Sequence, residues 1–368
     1  MAAFAEGAAK VIKTELQHLQ SSQEPTIWSM LSSLPDQISG AQKGDTYAVP
    51  SISALTAYSD GSTDQTVLSA TLAELLLVID REPFLPIEIT RRREAQLLGG
   101  GRWGEQLAIE SMQAIVNYRE ADVCDYMLSL AYDSSATYWV NPGALTLTRD
   151  FLLRAKAYLA GQRGATGNYA LICDSYAEAG LRSLVGFTAT QLSSDSASAG
   201  RVGFRRIGEF DGIPVAITND NPGSLARGQR TVTSTAYANV SNVQTVTVAA
   251  GHGIVPGNYA SFNTVTAGGD VATATVVTAV TATTVVFANA GGNSNATEAG
   301  TITVRGAVNF LADMGHIWKG ESDEMMVRIV PPTGRTGSVL QVSPLYGRVG
   351  RPGRVVAIGS PYATLTQS

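Results

Sequence analysis

No glycine or proline interrupts the chain between Glu105 and Tyr132, and a run of that length leaves little choice but one long helix. Apolar residues recur within it at Ala108, Met112, Ile115, Val116, Val123, Met127 and Leu130, mostly at helical spacing. The other face carries Glu110, Gln113, Asn117, Glu120 and Asp122. Arg119 and Glu120 fall where the apolar stripe should continue, so the stripe is expected to break or shift there. At about 1.5 Å per residue the helix would be roughly 45 Å long, more than the usual three or four turns. It is a beam, and the remaining segments are read by what that beam supports.

Composition sets the scale. The chain has 368 residues, 44% hydrophobic and 15% charged, which suits a sizeable core in about two or three domains. A net charge of −5 gives no electrostatic ground for tight nucleic-acid binding, because phosphate affinity needs an excess of Lys and Arg. Arginine outnumbers lysine 21 to 5. That bias suits ion-paired subunit interfaces, and the base composition of a genome explains it equally well. Cys124 and Cys173 are isolated and read as buried thiols in a reduced compartment. Met1 to Leu19 is alanine-rich with spread charges, so it reads as a short amphipathic helix and not as a secretory signal. The uncharged run Val271 to Ala288 is long enough for a membrane span, but its Thr and Val content belongs to β-strands, and no membrane partner is expected.

In chain order, a second short apolar piece from Ile27 to Leu34 looks like part of an arm, too small to bury much area without a partner. Runs on either side of Asp60-Gly61 read as a long β-hairpin, which cannot stabilise itself outside a sheet. Phe84 lies in a turn between Pro83 and Pro86. Arg91, Arg92 and Arg93 then open a charged segment, which reads as a solvated face or ion-pairing patch before it reads as a nucleic-acid contact. Beyond the long helix, Thr148 caps a helix through Leu159, Tyr169 to Cys173 is a buried strand, and Tyr176 to Leu184 is another helix. Two strands then meet at the Asp211-Gly212 turn. From about Gly228 to Gly306 the composition shifts to Thr, Val, Ala, Gly and Asn. Strands are expected at Gln244 to Val248, Tyr259 to Phe262, Val271 to Val280, Thr284 to Phe287 and Thr301 to Val304. Together they suggest a small inserted barrel or sandwich. The main fold resumes at Val308 to Trp318, with strands Met325 to Val330, Val339 to Val342 and Arg354 to Ile358.

Catalytic chemistry is hard to find. Gly99, Gly101 and Gly104 match G-x-G-x-x-G, but a charged segment precedes them where a dinucleotide fold needs a buried strand, so they read as a hinge. His18, His252 and His316 have no ligand spacing to another His or Cys. Asp122 with Asp125, and Glu321 with Asp323 and Glu324, offer hard-cation chemistry but read first as solvated faces. No nucleophile elbow or phosphate loop is present in the sequence. No catalytic residue, cofactor or metal is therefore assigned, and the chain is not expected to be an enzyme.

Taken together, the order of parts resembles the major capsid protein of tailed bacteriophages, the Hong Kong 97-type fold, and within it the coat proteins that carry an inserted β-barrel. The resemblance rests on the passage from Phe84-Leu85-Pro86 through Arg91-Arg92-Arg93 into the Gly101 helix. It rests also on Gly208-Glu209-Phe210-Asp211-Gly212-Ile213-Pro214-Val215, and on Val308 to Asp313 with Met326 to Val330. It implies an α+β fold with an N-terminal arm (1–45), an extended loop (46–98), a peripheral domain with spine helix (99–140 and 307–345), an axial domain (141–227 and 346–368) and an inserted barrel (228–306). The implied role is structural: copies assemble as hexamers and pentamers into an icosahedral shell around phage double-stranded DNA. Partners would be further copies, scaffolding and portal proteins and a decoration protein, with only weak, non-specific contact to DNA. The protein would be made in the bacterial host cytoplasm and end in the virion. Arg91, Arg92, Arg93, Asp60 and Phe84 are the expected inter-subunit contacts, the arginines pairing with a neighbour's acidic residues. An encapsulin-like compartment shares the fold and would carry a cargo enzyme instead of DNA. A surface adhesin would rest on the Thr-rich region alone, with Tyr237, Tyr259, Phe262 and Phe287 as its aromatics.

Overall fold

The computed structural model describes residues 27–33, 42–52, 72–83, 85–89, 103–131, 147–162, 164–175, 177–189, 205–224, 231–240, 243–250, 252, 254–264, 271–288, 299–304, 306–321, 326–330, 338–343 and 345–361. These residues fall into two compact units. The first takes its residues from before Glu120 and from Met314–Arg351, and the second from Glu120–Asp313 and from Pro352 onward.

The first unit begins with α1 (Ile27–Met30) and β1 (Ser32–Ser33), followed by β2 (Thr46–Ile52), β3 (Leu72–Val78) and β4 (Leu85–Ile89). After the insertion of the second unit it resumes with a 3-10 turn (Met314–His316), β16 (Ile317–Glu321), β17 (Met326–Val330), β18 (Ser338–Ser343) and β19 (Tyr346–Gly350). Strands β2 and β3 pair antiparallel, Tyr47 opposite Leu77, as the two arms of a hairpin, and the Asp60-Gly61 pair between them lies outside the described residues. Its inner face places Val49, Leu77 and Ile79 against Leu345 and Val349, and the bridge between Arg81 and Tyr346 ties β3 to β19. Strand β16 lies between β1 and β19, and β18 lies between β17 and β4.

The sequence places Ile27 to Leu34 in an arm that must find cover elsewhere, and here the structure differs. Ile27 and Trp28 are buried within their own unit, and β1 runs parallel to β16 with Ser32 opposite Trp318. The correction has a physical cause. One tryptophan supplies a large apolar area from a four-residue helix, enough to seat a segment too short to hold itself.

The long helix, α2 (Trp103–Ala131), has almost the predicted bounds. Its buried positions run Ser111, Ile115, Val116, Arg119, Glu120, Val123, Cys124, Met127, Leu128, Leu130 and Ala131, and all but Leu130 fall on a steady i, i+4 ladder. The stripe therefore does not break at Arg119, and Glu120, assigned above to the polar face, is fully buried. Charge can sit in that stripe at Arg119 because its guanidinium meets Glu321 at 2.6 Å, and a paired, hydrogen-bonded ion tolerates burial where a lone one does not.

The second unit is built on a six-stranded sheet, helped by α3 (Arg149–Gly161) and α4 (Ala177–Arg182). Its strands are β5 (Tyr169–Cys173), β6 (Phe187–Ala189), β7 (Arg205–Phe210), β8 (Ile213–Ile217), β15 (Gly306–Asp313) and β20 (Val355–Pro361), in the order β20-β15-β5-β8-β7-β6. Strand β15 is buried along its whole length, as an interior strand should be, and its apolar content follows from that. Leu152, Ala155 and Leu159 of α3 and Leu181 of α4 share one core with Leu171, Phe210, Val215, Leu311 and Val356. At the β7–β8 turn Asp211 and Gly212 both have positive φ, 48° and 77°, the tight turn whose twist matches the strands on either side.

Thr148 is the N-cap of α3, its Oγ1 accepting from Phe151 N at 3.4 Å. Thr148→Ala is expected to lower unfolding free energy by about 1 kcal/mol and Thr148→Ser to change it little, measured by urea denaturation.

Between β8 and β15 the chain makes a closed barrel. Its strands are β9 (Thr231–Val240), β10 (Val243–Val248), β11 (Tyr259–Thr264), β12 (Val271–Val280), β13 (Thr284–Ala288) and β14 (Gly300–Val304), in the order β10-β13-β12-β11-β14-β9. The structure thus chooses a barrel over a sandwich, since β9 pairs with both β10 and β14 and leaves no free edge. Phe262, Phe287, Val246, Val277, Val285 and Ile302 fill it, and Tyr237 meets the Phe262 ring edge-on at 5.7 Å. Strand β9 is missing from the sequence reading, as is β19.

Candidate functional site

Since the sequence points to assembly, the candidate sites are surfaces and the clusters that shape them. The five expected contact residues, Arg91, Arg92, Arg93, Asp60 and Phe84, lie outside the described residues, as do Gly99 and Gly101. Their places along the chain follow from the elements on either side. Asp60 belongs to the connection between β2 and β3, Phe84 precedes β4, and the arginines stand between β4 and α2.

The hairpin offers the clearest exposed surface. Burial alternates along β3, with Leu77 and Ile79 inward and Leu76 (57% exposed) and Val78 (37%) outward. A half-buried strand ordinarily turns polar residues to water. This one presents two large aliphatic side chains on a two-stranded ribbon.

A second cluster surrounds Trp28. Its indole Nε1–H donates to Glu321 Oε2 at 2.9 Å, and the other carboxylate oxygen takes Arg119. Arg119 Cζ stands 4.9 Å from the centre of the Trp28 ring and Lys319 Nζ 5.7 Å, while Tyr346 meets the indole edge-on at 5.1 Å. Lys319 Nζ also donates to the Trp28 carbonyl at 2.7 Å. Burial pulls the Lys319 ammonium below its ordinary range and nearby Arg119 adds to this, whereas Glu321 acts in the opposite direction. Sequence reasoning missed this cluster. A lone Trp in a short apolar piece was the available signal, but Arg119 and Glu321 are 202 residues apart and nothing in either marks the pairing.

The barrel joins its sheet through a polar seam. Asn258 Oδ1 accepts from Val255 N, and Asn258 Nδ2 stands 3.4 Å from the carbonyl oxygens of both Pro222 and Gly306. Val308 N donates to the Pro222 carbonyl at 2.9 Å, so the turn that leads toward the barrel touches the strand that follows it. Gly223 has φ +81°, and a Cβ there would collide with Asn258 and the Gly306 carbonyl. Next to this seam, Asn309 Oδ1 accepts from Asp174 N at 2.8 Å and from Asn221 Nδ2 at 3.4 Å.

The remaining candidates have structural roles. His252 bonds Thr281 O and Ile254 N, and His316 is buried against Trp318. Among the described residues no group of three or more His, Cys, Asp or Glu is placed to hold a metal ion, and no helix is long and apolar enough to cross a membrane. Glu321 serves Trp28 and Arg119, while Asp323 and Glu324 lie outside the described residues.

Cys124 and Cys173 are both buried thiols outside any disulfide, and Cys124 Sγ donates to Asn221 Oδ1 at 3.4 Å. Burial, and next the Asp174 charge, push the Cys173 thiol far above its ordinary value of 9.0. The folded thiol holds its proton more tightly than the unfolded one. Its contribution to stability is therefore complete below about pH 9 and is lost as pH rises past that value. Wild-type protein is expected to lose more stability than Cys173→Ala between about pH 8 and 10.5, read from urea midpoints.

No family model and no curated protein matches the chain. Solved structures are similar to it along most of its length. A protein of Mycobacterium phage Che8 aligns over 91% of this chain and 93% of its own at 11% identity, with a TM-score of 0.44. The capsid of the native GTA particle aligns over 92% of each chain at 11% identity and a TM-score of 0.47. The capsid of Cyanophage P-SCSP1u aligns over 90% of this chain and 93% of its own at 12% identity and a TM-score of 0.44.

Proposed function

We propose that this chain is the major capsid protein of a tailed bacteriophage with a Hong Kong 97-like fold, a structural protein whose copies close into an icosahedral shell around double-stranded DNA. The observation that carries the reading is the order of parts. A short anchored segment, a β-hairpin, a helix of 29 residues and a sheet with two covering helices follow one another, and a closed barrel hangs between two strands of that sheet. The outward Leu76 and Val78 support it, because an aliphatic face on a two-stranded ribbon gains stability only when another surface covers it.

On this reading, 1–45 and 46–98 are arm and extended loop, the long helix is the spine of the peripheral domain, 141–227 with 346–368 is the axial domain around five- and sixfold axes, and 228–306 is the insertion. Arg91, Arg92 and Arg93 meet acidic residues of a neighbour, and Asp60 and Phe84 lie in the same contact zone. A closed shell repeats a few modest patches many times, so no single contact has to be strong. Scaffolding, portal and decoration proteins are the further partners, and the chain is made in the host cytoplasm. The test is electron microscopy with sedimentation on the full chain, expressed alone and with a candidate scaffolding protein. Closed shells or rings of five and six copies are expected. A chain that stays monomeric in both preparations would sink the proposal.

A further inference from the structure

The segment that carries Trp28 has little secondary structure with which to hold itself. Helix α1 has four residues and β1 two, and β1 pairs only Ser32 and Ser33 with β16. Ile27 and Leu31 are buried and the Ser32 hydroxyl donates to the Met314 carbonyl, and to these is added a set of polar side chains around one indole. Glu321 accepts the indole N–H with one oxygen and the Arg119 guanidinium with the other, and Lys319 returns to the Trp28 carbonyl. Two cations stand over a single aromatic ring whose N–H is held by one anion. Removing the negative charge leaves two like charges beside one ring and weakens the hydrogen bond to the indole N–H.

We infer that Ile27–Ser33 is a strap held shut by a charge-dependent clasp at Trp28, with Glu321 as its keystone, and that loss of the Glu321 charge releases the strap while the unit beneath stays folded. The unit beneath has its own support. Val49, Leu77, Ile79, Leu345 and Val349 form a core made of residues outside the strap. Tyr346 also stays in place without Trp28, because its backbone is bonded to Arg81 in both directions. A released strap would uncover the Tyr346 ring and the edge of β16, so the clasp controls access to both. This inference stands apart from the shell proposal and needs no second copy.

The test is amide hydrogen exchange on the full chain, comparing wild type, Glu321→Gln and Trp28→Phe. Glu321→Gln keeps the shape and an acceptor oxygen but removes the charge, and Trp28→Phe keeps a ring but removes the donor. Exchange in Ile27–Ser33 is expected to rise about tenfold or more in Glu321→Gln and less in Trp28→Phe, with β2, β3 and β19 unchanged in both. Added NaCl should speed strap exchange in wild type and have little effect in Glu321→Gln. Unchanged strap exchange in Glu321→Gln would overturn the clasp. So would an equal rise across β2, β3 and β19, which would make Glu321 an ordinary core support. If Glu321→Gln does not fold, Trp28→Phe and the salt series on wild type decide the matter by the same readings.

Discussion

Gly347→Ala is expected to cost about 3 kcal/mol or more and to unfold the first unit before the second. Strand β19 crosses the end of β3 at that point, with Arg81 and Tyr346 exchanging backbone hydrogen bonds. A Cβ on Gly347 would fall inside contact distance of the Val78 carbonyl and close to the Ile79 Cα, all of them backbone atoms. A flexible side chain can turn away, whereas a strand held by its ladder has to shift as a whole. Urea unfolding followed by hydrogen exchange separates the units. The variant should lose protection in β3, β16 and β19 at lower denaturant while the barrel keeps its midpoint. Gly161→Ala is the control, since nothing lies within 4 Å of a Cβ there, and it should be neutral or slightly stabilising. Equal midpoints for the two variants would show that the β3–β19 approach is not tight.

Reversing Arg91, Arg92 and Arg93 to Glu is expected to abolish shell formation and leave a soluble, folded monomer. The change moves six units of charge in three adjacent positions. On the proposed reading each copy then presents like charge to a neighbour's acidic residues. A single exposed pair is worth under about 1 kcal/mol, but in a closed shell the repulsion recurs at every copy. Sedimentation and electron microscopy read assembly, and circular dichroism checks that the monomer is folded. Normal shells from the triple variant would remove the arginine contact from the proposal and leave the shell reading to stand on its other surfaces.

Local chemistry was the legible part of this fold. The uninterrupted stretch marked α2, Asp211-Gly212 marked the β7–β8 turn, Thr148 marked the cap of α3, and five of the six barrel strands followed from Thr and Val content. What the sequence concealed depends on distant partners. Strand β9 buries Ser234, Tyr237 and Asn239, so its inward face is partly polar and carries no apolar alternation. Strand β19 reads Tyr-Gly-Arg-Val-Gly, and its glycines, one of which the close approach to Val78 requires, lower any strand propensity. Arg119 and Glu120 looked like a fault in the stripe of α2 because a charge shows its burial only when its partner is known, and Glu321 is far along the chain. Trp28 was hidden in the same way, in a segment whose cover is supplied from residues beyond 310.

The way the two units share the chain also sets a timetable for synthesis. The barrel is continuous in sequence, from Thr231 to Val304, and closes on itself with no strand from elsewhere in the chain. The sheet that carries it waits for β15 and then for β20, which pairs Gly306 with Pro361 near the far end of the chain. The first unit cannot seat Trp28 until Glu321 and Tyr346 have emerged. Closure of such long loops precedes the contacts that reward it, which slows the late steps. On a ribosome the barrel is therefore the first body able to fold, and it does so while both of its hosts are still open chain.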